Sequence, residues 1–305
     1  MKVVEGEGLT KWYGEVMGLN RFTAGFGEGI TGLVGPNGAG KSTFLKLVTG
    51  QLRPDEGTLR VLQEDPWNNR ELMARIGYCP EHNRVYAYLT GLRFVSTLLR
   101  LSGYSAEEAN NRAEETLRLV GLEADMNRPL AGYSKGMRQR AKLAQALAHE
   151  PRLLLLDEPL NGTDPVGRAR MIDVIKGLPD RGTSVLVSSH ILFEVEKLTE
   201  QVVLINRGKA IASGGIREIR RLIDEHPHTV RLTTPRARDL ARRLATENHI
   251  AEMSFDGEDA LVVRTRDPET FYRELPGIVV DSAIPVHALE SPDDNLEAVF
   301  RYLVE

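Results

Sequence analysis

The sequence predicts an α/β chain in two parts, a mostly parallel sheet interleaved with helices and then a small α+β domain. Three observations carry this. Four short apolar runs, GITGLV at 29–34, RIGYC at 75–79, RLLLLD at 152–157 and TSVLVSS at 183–189, read as buried strands, and helical patterns separate them. Residues 1 to about 30 alternate apolar and polar side chains between glycine turns, which predicts an antiparallel sheet. Beyond residue 228 the order reads β-α-β-β-α-β, the ferredoxin-like arrangement.

The N-terminal antiparallel strands come first, and GITGLV then enters a glycine-rich loop. From Thr90 to Gly121 the pattern is helical. Ser105, with Glu108 three residues on, forms a capping box, and the helix it opens stops at Gly121. This stretch is expected to form a helical subdomain between two strands of the sheet. A boundary falls near 215–227, where GGIREIRRLIDEHPH reads as a helix broken by Pro227. The expected domains are therefore 1–220 and 228–305, with 221–227 as linker. The second should hold a strand at 228–234, a helix at 236–247, a hairpin at 250–266 turning at DGED, a helix at 268–275, a strand at 278–290 and a last helix over NLEAVFRYLVE.

Bulk properties narrow the function classes. The 305 residues are 41% hydrophobic and 27% charged, with a formal net charge of −4, so no bulk electrostatic case for DNA or RNA exists and no nucleic-acid partner is expected. A single cysteine, Cys79, excludes an internal disulfide and points to a reducing compartment. The start, MKVVEGEGLT, lacks the apolar core of a signal peptide, and no apolar run approaches the roughly 20 residues a membrane helix needs. A membrane role is expected to run through a partner.

GPNGAGKST, residues 35–43, fits G-x-x-x-x-G-K-[ST] between a strand and a helix, the context the phosphate-binding loop requires. Glycines let successive N–H groups point inward at phosphate oxygens, and the following helix adds its positive end. Lys41 should reach the β- and γ-phosphates, and the Ser42 hydroxyl should bind Mg²⁺. LLLLDEP at 153–159 supplies a strand ending in two acids. Asp157 would hold the metal, a hard cation that prefers oxygen, leaving Glu158 as the general base for an attacking water.

The segment before those acids, YSKGMRQR at 133–140, and NGTD at 161–164 and SSH at 188–190 after them, give an order that resembles the ATP-binding-cassette (ABC) ATPases over roughly residues 3 to 220. The resemblance implies a P-loop NTPase fold of the ABC ATPase type, with ATP and Mg²⁺ as ligands. It makes Ser134, Lys135, Gly136 and Met137 the signature, Asp164 the D-loop acid and His190 the switch histidine that contacts the γ-phosphate. The phosphates would be cradled by Gly35, Pro36, Asn37, Gly38, Ala39, Gly40, Lys41, Ser42 and Thr43. Tyr13 resembles the aromatic that stacks on adenine, with Trp12 as rival and a core position as the plain alternative. Glu81 in IGYCPEH stands where the family has a metal-ligating glutamine. Its carboxylate can also ligate Mg²⁺, but it adds negative charge beside the γ-phosphate.

The family closes two cassettes head to tail, each nucleotide lying between one phosphate loop and the other's signature. One motif set is present here, so the resemblance implies a homodimer. It further implies the ATPase subunit of a transporter, of exporter type, at the cytoplasmic face of the membrane on a separate permease, which also carries the cargo's identity. RVYAYLTGLRF at 84–94 is either where that permease docks or packing for the helical subdomain. A soluble superfamily member acting on nucleic acid or the ribosome is the alternative. Neither a second cassette nor a long coiled coil supports it. A metabolic kinase is opposed by the signature and the switch histidine.

Overall fold

The computed structural model describes residues 2–82, 85–216, 219 and 227–291. The chain divides into two compact units, Met1–Gly215 and Ile216–Glu305. The first runs through β1 (Lys2–Tyr13), β2 (Val16–Gly27), β3 (Ile30–Val34), α1 (Lys41–Val48), β4 (Glu56–Val61), α2 (Arg70–Met73), β5 (Ile76–Cys79), α3 (Gly91–Leu101), α4 (Ala106–Leu119) and α5 (Lys135–Leu147). It continues through β6 (Leu153–Asp157), α6 (Pro165–Lys176), β7 (Ser184–Ser189), α7 (Leu192–Glu196), β8 (Gln201–Asn206) and β9 (Lys209–Gly215).

Two sheets form. The alternating N-terminal strands make an antiparallel sheet in the order β2-β1-β4, as expected. The apolar runs make the six-stranded sheet β5-β6-β7-β3-β8-β9, parallel except for β9. All five residues of β6 are buried. Leu154 and Leu156 join the core beneath the helical subdomain, whereas Leu153 and Leu155 join the core shared with the antiparallel sheet. Burial on both faces at a period of two is why this strand reads as an unbroken apolar run. The parallel strands also bring the carboxyl ends of β3, β6 and β7 side by side, where ligands bind in such sheets.

The helical subdomain is α3, α4 and α5. Ser105 caps α4 by accepting the Glu108 N–H at 3.2 Å, but the Glu108 carboxylate turns forward to Arg112 at 3.2 Å, so half of the expected capping box operates. At the other end Gly121 has φ +70°, and the Leu122 N–H reaches back to the Leu117 carbonyl at 2.8 Å, a Schellman closure.

The second unit contains β10 (His228–Thr233), α8 (Ala237–Leu244), β11 (Ile250–Phe255), β12 (Ala260–Thr265), α9 (Pro268–Ser282) and β13 (Ala288–Glu290). Its sheet order is β11-β12-β10-β13 with every neighbour antiparallel, the split βαβ arrangement predicted. Val230, Leu232, Leu240, Leu261 and Phe271 form its core. One boundary differs from expectation. The helix placed at 268–275 continues to Ser282, and the strand placed at 278–290 shrinks to three residues. The β-branched run GIVV suggests a strand, yet Phe271, Leu275, Ile278 and Val279 fall at helical spacing onto one core, and that packing wins. The expected final helix and, apart from Pro227, the expected linker lie outside the described residues. Among those described, no helix is long and apolar enough to cross a membrane.

Candidate active site

The glycine-rich loop leaves β3 and turns into α1. Gly40 has φ +109°, and a Cβ there would meet the Gly18 carbonyl at 2.5 Å, so a side chain is excluded on both counts. The Phe44 N–H bonds the Gly40 carbonyl at 2.9 Å to begin the helix, which leaves its first amides available to an anion at the loop. Lys41 is buried, and its ammonium donates back to the carbonyls of Gly35 at 2.7 Å and Pro36 at 3.2 Å. Ser42 and Thr43 follow in the first turn. The Tyr13 ring lies over Gly18, its hydroxyl 3.4 Å from Thr43 Oγ1, whereas the Trp12 backbone is tied to Asp55 at 2.7 Å. Tyr13 is thus in contact with the phosphate loop at Thr43.

The paired acids close the other side. Asp157 and Glu158 are 3% and 6% exposed, values that place both inside the protein. Asp157 Oδ1 accepts a 2.6 Å hydrogen bond from Ser188 on the adjacent β7. Glu158 sits in the left-handed region at φ +48°, costing on the order of 1 kcal/mol, with its N–H held by the Ser188 carbonyl at 3.2 Å. This bend separates the two carboxylates. Glu158 Oε2 is 2.9 Å from His190 Nδ1, and Oε1 is 3.3 Å from the Lys41 ammonium. The structure therefore unites Lys41, Asp157, Glu158 and His190, which lie at or just beyond the carboxyl ends of three neighbouring strands, β3, β6 and β7. A carboxylate flanked by an imidazole and a buried ammonium is arranged to take a proton from a water near a phosphate.

The signature makes different contacts. Ser134 caps α5 by accepting the Met137 N–H at 3.2 Å. Gly136 is packed so closely that a Cβ would lie 3.1 Å from Asp164 Oδ2, and the Lys135 stem lies across Gly162. Asp164 caps α6 through the Gly167 N–H at 2.9 Å, and that hydrogen bond lowers its carboxyl below the usual aspartate range. Among the described residues, no hydrogen bond or ion pair joins 134–137 to the phosphate loop. The two arginines of YSKGMRQR are structural fasteners. Arg138 donates to the carbonyls of Leu130 and Ala131, and Arg140 to those of Val120 and Gly121 at the end of α4.

Glu81 lies exposed on the loop after β5. That loop is held by Lys142, which the sequence reading did not single out. Its ammonium donates to the carbonyls of Pro80, Glu81 and His82. Burial lowers its affinity for the proton, while the thiol of Cys79 and the carboxylates of Asp157 and Glu81 act in the opposite direction. A signal existed: Lys142 stands at helical spacing from Gln139 and Ala146, which are both buried. Ser188 belongs to the SSH motif, but its bond to Asp157 depends on strand pairing.

The ABC transporter family profile matches residues 21–161. The chain is 42% identical over 190 residues to an ABC transporter ATP-binding protein of Nostoc sp. (strain PCC 7120), covering 62% of this chain and 56% of that protein, so the match spans little more than half of the relative. It is 33% identical over 305 residues to the daunorubicin/doxorubicin resistance ATP-binding protein DrrA of Streptomyces peucetius, covering 99% of this chain and 92% of DrrA. Among solved structures it is similar to the dimeric post-hydrolysis state of the ATP-binding cassette MJ0796 bound to ADP and Pi. That match has a TM-score of 0.64 and 25% identity, over 70% of this chain and 99% of that one. The chain belongs to the ATP-binding proteins of the ABC transporters, and its first unit is an ABC-type ATPase domain of the P-loop fold.

Proposed function

We propose that two copies of this chain close around two ATP molecules, hydrolyse them at the shared interface and so drive export through a separate membrane permease. The observation that carries this reading is the division of contacts. Glu158 is paired with His190 and Lys41, while the signature touches its own D-loop and makes no hydrogen bond to its own phosphate loop. One chain thus holds two complementary halves, and a C2 dimer completes two equivalent sites. The solved cassette dimer with ADP and Pi supports the arrangement.

In the proposed site the loop 35–43 wraps the triphosphate with its backbone amides, and adenine stacks on the exposed face of Tyr13. Lys41 exchanges its carbonyl partners for the β- and γ-phosphate oxygens. Ser42, Asp157 and Glu81 offer hard oxygen ligands suited to Mg²⁺, and the Ser188 bond fixes one Asp157 oxygen while leaving the carboxylate's remaining lone pairs to the ion. When bound, the metal would neutralise charge developing on the phosphates. Glu158 takes the proton of a water whose oxygen attacks the γ-phosphorus, the bond to the β–γ bridging oxygen breaks, and ADP keeps that electron pair. His190 holds Glu158 and the phosphate in register. From the partner, Ser134 and Gly136 face the same phosphate, so its loss loosens the dimer.

The outward direction and the small-molecule cargo class rest on the likeness to DrrA. Exposure of Tyr86 and Tyr88, 55% and 78%, beside the buried Phe94 supports a permease contact on this stretch. In this reading the chain reaches the membrane through its partner. The test is phosphate release against protein concentration. The proposal predicts a specific rate that rises with concentration and then saturates; a specific rate constant down to a chain that sizes as a monomer contradicts it.

A further inference from the structure

Lys142 is 3% exposed, on the helix that Ser134 opens. An ammonium has three donors. Here they face three consecutive carbonyls, Pro80, Glu81 at 3.3 Å and His82 at 3.2 Å. Such a buried cation is costly unless nearby negative charge offsets it, and carbonyl dipoles alone do so only in part. The acids that act on it are Asp157 and Glu81. The proposed nucleotide site has three carboxylates, Glu81, Asp157 and Glu158, around a polyanion. Lys41 answers Glu158 at 3.3 Å. Lys142 bonds the backbone of the loop that carries Glu81.

We propose that Lys142 is a positioning residue for the Glu81 loop: it ties that loop to the signature helix and supplies the positive charge that lets a carboxylate at position 81 lie beside the triphosphate. The inference rests on the nucleotide-site reading above. It also makes the loop after β5 and the signature move together, because one side chain of α5 bonds three successive peptide groups of the loop.

The test is equilibrium binding of a fluorescent ATP analogue to the full chain, in EDTA and in Mg²⁺, for wild type, Lys142→Met, Lys142→Arg, Glu81→Gln and Lys142→Met/Glu81→Gln, with a thermal melt of each. If the wild type binds no nucleotide, the reading of the site fails, and this proposal with it. If it binds, Lys142→Met should weaken Mg²⁺-free binding about tenfold, the effect of one uncompensated charge at short range, and weaken Mg²⁺-supported binding much less. Lys142→Arg should stay near wild type, and Glu81→Gln should recover most of the loss in the double variant. Equal losses in both media, or no recovery in the double variant, overturn the proposal and leave Lys142 a packing residue. Should Lys142→Met not fold, the same cycle is read in the melt. Glu81→Gln restoring folding supports the charge role, and no restoration contradicts it.

Discussion

Glu158 places one carboxylate oxygen 2.9 Å from His190 Nδ1 and the other 3.3 Å from the Lys41 ammonium. Both partners come from the same side of β6, His190 from the end of the adjacent β7 and Lys41 from the helix that follows β3. In the proposed mechanism His190 orients the base, and Lys41 binds the phosphate that the base's water attacks. His190→Ala should therefore cut hydrolysis about 100-fold or more, as loss of a group that positions a general base does, while nucleotide affinity stays within about threefold. Single-turnover hydrolysis and equilibrium binding on the same variant separate the two effects.

Lys41 and Glu158 are both buried and face each other at 3.3 Å, so removing either takes away the other's opposite charge. Lys41→Ala is expected to abolish phosphate binding and to destabilise the nucleotide-free protein by about 3 kcal/mol, since an uncompensated buried acid remains. Adding Glu158→Gln should return most of that stability without returning binding. Denaturant unfolding of the single and double variants reads the difference.

Trans composition of the site gives a complementation test. Ser134→Ala loses its helix cap, worth about 1 kcal/mol, and by the proposal its contact with the partner's nucleotide. Lys41→Ala loses its own phosphate grip. Each alone should be inactive. Mixed dimers contain one intact site, built from Lys41 of one chain and Ser134 of the other, so mixing should restore measurable phosphate release. No recovery in a mixture shown to exchange protomers would count against a shared site.

β6 sets the distance between these groups, and its fully buried side chains make it sensitive. Leu155→Ala should cost about 2–5 kcal/mol, the usual range for a buried leucine, read as a lower melting temperature. Hydrolysis measured well below that temperature should fall less than in the Lys41 or His190 variants.

The parts of this molecule visible in its sequence are those whose physics is local. Gly35, Gly40, Lys41 and Ser42 announce the loop because a phosphate cradle needs those residues within a few positions. LLLLDEP announces a buried strand with acids at its end because burial on both faces demands an apolar run. For α9 the sequence predicts too short a helix, because its β-branched turn looks like a strand until the core that receives Ile278 and Val279 is known. Arg140, Ser188 and Lys142 bond peptide groups or side chains distant in sequence, and no local pattern of theirs names a partner. The basic look of YSKGMRQR misleads for the same reason: its arginines serve carbonyls of the helical subdomain.

The central claim, that ATP itself holds two chains together at Glu158 and the facing signature, is tested most directly by Glu158→Gln on a sizing column with Mg²⁺ and ATP. The substitution keeps the side chain's size and removes the base, so ATP persists and the dimer should elute as a stable species that disappears when ATP is replaced by ADP. A Glu158→Gln chain that binds ATP yet elutes as a monomer would contradict the shared site.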